Sequence, residues 1–237
     1  MARPPKPGKC VHCLRSPVNR NWDHVFPDSW YPDTTAPNLH KWQIPSCVKC
    51  NSELGAIERE FFVRIALCLD PNAPESRSIV QKALRAMKPE YGKTASDKRA
   101  RAALGQKISS EILQGDQIPN HGIYPNLGAR RGSLPTSQMA VVIPAEFFRR
   151  ITEKIVRGIT YLEDQRFIEP PHKIQFFALD DESARPLTEL TERFGTVLAR
   201  EPGIVLKRAV VPEDGISSLY EIEFWKQFKT HATVSEE

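Results

Sequence analysis

The chain has 237 residues, 40% hydrophobic and 26% charged, with a formal net charge of +4, enough apolar material for a buried core in one large domain or two small ones. No stretch approaches the ~20 apolar residues that span a bilayer, and the opening segment to Lys9 carries charge and prolines with no apolar run behind it. A soluble, cytoplasmic protein is therefore expected, without signal peptide, anchor or membrane partner.

The charge is unevenly spread. Basic and acidic residues number 8 and 6 in 1–60, 12 and 6 in 61–135, and 13 and 17 in 136–237, giving +2, +6 and −4. Grip on a polyanion is expected from the middle of the chain.

Residues 1–60 begin with proline, aromatic and turn-forming residues, the composition of a small unit that needs a metal to fold. A helix is predicted from Ser52, as N-cap, to about Leu69, because Leu54, Ile57, Phe61, Ile65 and Cys68 recur at spacings of three and four. Cys68 is expected in the core. The span 61–114 forms a helical basic extension, with helices over Ser78 to Met87 and Ser96 to Leu113. Between Lys82 and Lys107 stand eight lysines and arginines against Glu90 and Asp97. Such a run is either a solvated face or a phosphate-binding one.

Glycines and prolines at 115–138 predict a loop or linker, and a domain boundary is placed there. Residues 139–237 are expected to form an α+β domain. Pro144 opens a helix whose Phe147, Ile151, Ile155 and Ile159 make an apolar stripe. Then follow a strand at Lys173–Leu179, a helix around Leu187–Ala199, and strands at Gly203–Val211 and Ser218–Phe228. In the last, Tyr220, Ile222 and Phe224 alternate with Glu221 and Glu223. His121, His172 and His231 lack ligand spacing. The fold class is α+β.

The chemistry concentrates near the start. Cys10-Val-His-Cys13 and Cys47-Val-Lys-Cys50 are two C-x2-C clips, and four thiolates so arranged suit one tetrahedral Zn2+ in a structural role. His12 lies inside the first clip, but four cysteines already close the shell, so it is read as a surface residue. Between the clips stand Asp23 and His24, and Asn51 follows Cys50 directly. An aspartate and an asparagine are hard oxygen donors for a divalent ion, and a histidine can take a proton from water. Trp22, Trp30, Tyr31 and Trp42 are expected to form a small core beneath the zinc, with stacking on unpaired bases as the alternative. His40 is expected to be exposed.

The order Cys-x2-Cys, Asp-His-Val-Phe-Pro, Cys-x2-Cys-Asn resembles the HNH endonucleases, in the variant that builds a ββα-metal site on a treble-clef zinc scaffold. The likeness covers residues 10 to about 60. It implies structural zinc on Cys10, Cys13, Cys47 and Cys50, His24 as general base, and one catalytic Mg2+ or Mn2+ held by Asp23 and Asn51. The implied activity is hydrolysis of phosphodiesters in nucleic acid, DNA foremost, with RNA as a further candidate. Two positions depart from the pattern: Asn38 is a distant candidate for the base-orienting asparagine, and Asn51 stands where many members have a histidine. The C-terminal domain would then supply homo-oligomer contacts, target choice or regulation. A non-catalytic zinc-binding module for nucleic acid or protein is the competing expectation.

Overall fold

The computed structural model describes residues 3–119, 134–179, 181–200 and 203–236. The expected linker falls largely on 120–133, which with His121, Arg130 and Arg131 lies outside the described residues.

The N-terminal unit is a hairpin followed by a helix. Strand β1 (Arg20–His24) pairs antiparallel with β2 (Gln43–Cys47), setting Asp23 opposite Ile44 and His24 opposite Gln43. Helix α1 (Val48–Ala66) follows with no intervening loop. It starts five residues before the expected position, because Cys47 and not Ser52 is the N-cap: its sulfur accepts the Cys50 N–H at 3.4 Å. Sulfur thus replaces the usual hydroxyl or carboxylate in satisfying an orphan donor of the first turn.

Helix α2 (Ile79–Met87) packs against α1, and α3 (Ala95–Ser110) packs against α2. The Thr94 side chain caps α3 by accepting the Asp97 N–H at 3.1 Å. Short strands β3 (Ile112–Gln114) and β4 (Met139–Val141) then pair antiparallel. The fully buried Arg64 of α1 ties them down through Glu60, Glu111 at 2.6 Å and the Val142 carbonyl.

Helix α4 (Ala145–Asp164) buries Ile151, Ile155 and Ile159, the stripe expected from the sequence. A five-stranded antiparallel sheet follows, in the order β5-β9-β8-β7-β6. Its strands are β5 (His172–Phe177), β6 (Thr196–Arg200), β7 (Ile204–Val210), β8 (Ser218–Phe224) and β9 (Phe228–Glu236), with α5 (Asp181–Phe194) between β5 and β6. Two expectations are corrected here. The helix around Leu187–Ala199 ends at Phe194, and Thr196–Arg200 is an edge strand paired to β7. The single strand Ser218–Phe228 is a hairpin, turned by Trp225 and Lys226 at φ +53° each. A left-handed tryptophan is costly, and burial holds it: Trp225 is enclosed and donates its indole N–H to the Trp30 carbonyl at 2.9 Å.

One hydrophobic cluster runs through both halves of the chain. Val25, Phe26, Trp30, Phe61 and Phe62 join Ile155 and Ile159 of α4 and Tyr220, Ile222, Phe224 and Trp225 of the sheet. Trp30 lies 5.7 Å from Phe224 and 6.2 Å from Trp225, ring centre to ring centre. The N-terminal unit, whose own apolar content is small, completes its core on the C-terminal sheet. Of the four aromatics expected to form a small core beneath the zinc, Trp30, Tyr31 and Trp42 are instead buried in this shared cluster, whereas Trp22 is exposed and donates its indole N–H to the Arg3 carbonyl.

Candidate metal centre and its buried ion cluster

The sulfurs of Cys10, Cys13, Cys47 and Cys50 all lie within 4.8 Å of one another. Tetrahedral zinc with Zn–S bonds of ~2.3 Å separates its ligand sulfurs by about 3.8 Å, and Cys13 Sγ stands 3.8 Å from Cys47 Sγ. The tetrad fits zinc in spacing and in donor chemistry. It is the one metal-competent group of three or more His, Cys, Asp and Glu side chains among the described residues.

Local sequence explains the convergence. Leu14, at φ +62°, closes the first clip's turn, while the end of β2 and first turn of α1 present the second clip. The Cys47 N–H donates to Cys10 Sγ at 3.2 Å and the Arg15 guanidinium to Cys13 Sγ at 3.3 Å. Burial raises the Cys13 thiol, but the hydrogen bonds from Arg15 overcome it and bring it down to about 6. Burial, the hydrogen bond with Cys47 and the Cys10 charge push the Cys50 thiol up. A metal ion would pull all four toward thiolate.

Beside the tetrad lies a second buried centre. The Asp23 carboxylate accepts from His12 Nε2 at 3.0 Å on one oxygen and from Lys154 Nζ at 2.9 Å on the other. Lys154, on α4, also donates to Glu58 of α1. The side chains of Asp23 and Lys154 are 5% and 1% exposed, so the pair is shut off from water. Burial drives the Asp23 carboxyl up, yet the His12 hydrogen bond and the Lys154 charge outweigh it, and the acid lies below its ordinary value. Glu58 shares the lysine but not the histidine, and its burial leaves it raised. Desolvation lowers His12 in spite of Asp23; a neutral imidazole facing an anion carries its proton on Nε2 and donates it.

Three members of this cluster, His12, Glu58 and Lys154, were not among the residues expected to carry the site. His12 was expected at the surface, but its side chain is only 7% exposed because Asp23 draws it inward. Glu58 had a faint signal in its spacing: seven residues after Asn51, it shares that residue's helix face. Lys154 had none in the local sequence.

His24 points away from this cluster, as alternation along β1 requires. Its side chain is 31% exposed, with Nε2 2.8 Å from Gln43 Nε2 and 3.6 Å from Asp28 Oδ1. Asn51 lies in the first turns of α1, half-buried. The structure therefore gathers Asp23, His24 and Asn51 onto one hairpin–helix unit, but gives Asp23 and His24 separate sets of partners. His40 and Asn38 are exposed. Half-buried Cys68 donates its thiol to the Arg64 carbonyl, and burial lifts it to about 11. No described helix is long and apolar enough to cross a membrane. Compared with known proteins, the chain matches no family model, no curated protein and no solved structure.

Proposed function

We propose that the chain is a metal-dependent endonuclease of the HNH type that hydrolyses phosphodiesters of nucleic acid, with DNA as the expected substrate. The observation that carries this reading is the continuity of β2, the second cysteine clip and α1: Cys47 and Cys50 belong to the metal-competent tetrad, and Asn51 follows at once, beside the strand that bears Asp23 and His24. His24 would take the proton of the attacking water. It is open to solvent on one side and is held on the other by Gln43 and Asp28, the setting of a base whose ring is oriented by neighbours. Asp23 and Asn51 offer a carboxylate and an amide oxygen, chemistry suited to Mg2+ or Mn2+. That ion, when bound, would neutralise charge on the phosphate and leaving oxygen. Convergence of Asp23 and Glu58 on the Lys154 ammonium supports a locus built for positive charge.

The same ammonium favours a second reading, a zinc-built binding module without catalysis, because Asp23 already has a cation partner that a metal ion must displace. The test is nicking of supercoiled plasmid with Mg2+, Mn2+ or no divalent ion, comparing wild type with His24→Ala. Metal-dependent nicking that falls about 10²–10⁴-fold in the variant supports the endonuclease. Equal inertness of both proteins selects the binding module. Parallel digestion of labelled RNA decides between the nucleic acids.

A further inference from the structure

A cavity of about 530 Å³ opens between α1, α2 and α3, within the range of about 300–1,000 Å³ that accommodates small organic ligands. Its wall carries four cations, Arg59, Lys82, Arg85 and Arg101, and two acids, Glu58 and Asp97. The acids are committed, Glu58 to Lys154 and Asp97 to Arg101 at 3.0 Å. Lys82 is likewise committed, to Asp33 at 2.8 Å. Arg59 and Arg85 are exposed and make no direct ion pair within 4 Å among the described residues, although each lies near enough to an acid, Asp97 and Asp33 respectively, to help hold it below its ordinary value. Two exposed guanidinium groups lining the cavity thus keep N–H donors that no carboxylate bridges.

The remaining wall is aromatic. Tyr91 is half-exposed, with the Arg85 guanidinium over its ring at 5.8 Å from the ring centre. Trp30, itself buried, closes the floor of the cavity. Gly55 on α1 leaves open space where a side chain would project.

We propose that this cavity binds one nucleotide unit, its phosphate on Arg59 and Arg85 and its base against Tyr91. Guanidinium forks match phosphate oxygens, and a ring beside a guanidinium accepts a base in the same stack. An acidic peptide would use the arginines but leave the exposed Tyr91 ring without a partner. The site is independent of the endonuclease reading, since it can fill in a chain that cuts nothing. Its occupant is either a free mononucleotide or a nucleotide within a single strand, and the two differ only in what continues beyond the phosphate.

Titration calorimetry of the zinc-loaded full chain at fixed salt, with deoxyadenosine monophosphate, deoxyadenosine, inorganic phosphate and a short oligo(dA), tests the site. The monophosphate is expected to bind more tightly than either half alone. Arg59→Ala with Arg85→Ala, and separately Tyr91→Ala, are expected to weaken it by about tenfold or more. These side chains are exposed, and unchanged zinc content and melting temperature confirm that the variants fold. A strand residue is the occupant if oligo(dA) binds far more tightly than the monophosphate and responds to the same variants; equal affinities assign the free nucleotide. Phosphate binding as well as the monophosphate, or nucleotide binding indifferent to these variants, overturns the proposal.

Discussion

Lys154 Nζ lies 2.9 Å from Asp23 Oδ1 across 131 residues of sequence, joining the last long helix to the first strand inside a site almost without solvent. Removing one member of such a pair strands the other's charge. Lys154→Ala is expected to destabilise the fold by about 3–5 kcal/mol. Lys154→Met together with Asp23→Asn should cost less than the sum of the single changes, since Asp23 no longer leaves a stranded charge and only Glu58 loses its cation. Urea unfolding of the four proteins measures the coupling, and strict additivity would count against the pair.

Two glycines, each inside a helix, should respond with opposite signs. A Cβ on Gly158 of α4 would stand 2.8 Å from Val25 Cγ2 and 3.2 Å from Ile44 Cδ1, where the helix crosses the hairpin. Gly158→Ala is expected to cost about 1–3 kcal/mol through overpacking. Gly55→Ala meets nothing within 4 Å and should stabilise by about 0.5–1 kcal/mol from helix propensity alone. Thermal melts of the two variants decide.

The sheet's other face contains an acid-labile element. Glu221 is buried beneath α5, with His231 at 3.3 Å, Lys207 at 3.0 Å, Lys229 at 3.5 Å and Thr191 at 3.4 Å. Burial opposes its ionisation, but hydrogen bonds from His231, Lys207 and Thr188 hold the carboxyl down at about 2. Unfolded glutamate titrates near about 4.3, so the anion's stabilisation is complete above that pH and is lost as pH falls through the folded value. Its full size is about 3 kcal/mol. Glu221→Gln should therefore flatten the stability profile between about pH 4.5 and 2 while lowering stability at neutral pH. A profile parallel to that of the wild type would refute this.

Zinc removal should propagate beyond the clips. Metal analysis is expected to find one zinc per chain and Cys50→Ala to lose it. Structural zinc in small domains contributes an apparent ~10–16 kcal/mol at neutral pH, and here the ligand Cys47 is also the N-cap of α1. Chelation should accordingly lower far-ultraviolet helicity as well as metal content. Helicity unaffected by complete metal loss would show that the cap holds without the ion.

What was legible in the sequence was local. Two C-x2-C clips announce their ligand geometry within four residues each, and the stripe of Ile151, Ile155 and Ile159 declares its buried face by spacing. Long-range partners leave no such mark. Nothing near Lys154 signals Asp23, and nothing near His12 says that a carboxylate will draw it inward. Strand β9 was hidden because Thr230, His231 and Thr233 read as polar, whereas Thr230 and His231 are buried. The glycine- and proline-rich stretch at 115–138 suggested separable domains, but the aromatic side chains on either side of it enter one core. His24 and Asn51 were placed on the hairpin and helix by their neighbours in sequence; whether they perform chemistry is a matter for the nicking assay.

The embrace of Trp30 by Phe224 and Trp225 has a consequence for biosynthesis. Trp225 emerges from the ribosome 195 residues after Trp30, a delay on the order of 10–40 s at usual elongation rates. Throughout that interval Phe61 and Phe62 can cover one side of Trp30, but the side that Phe224 and Trp225 close stays open, which makes this flank the natural target for a chaperone during translation.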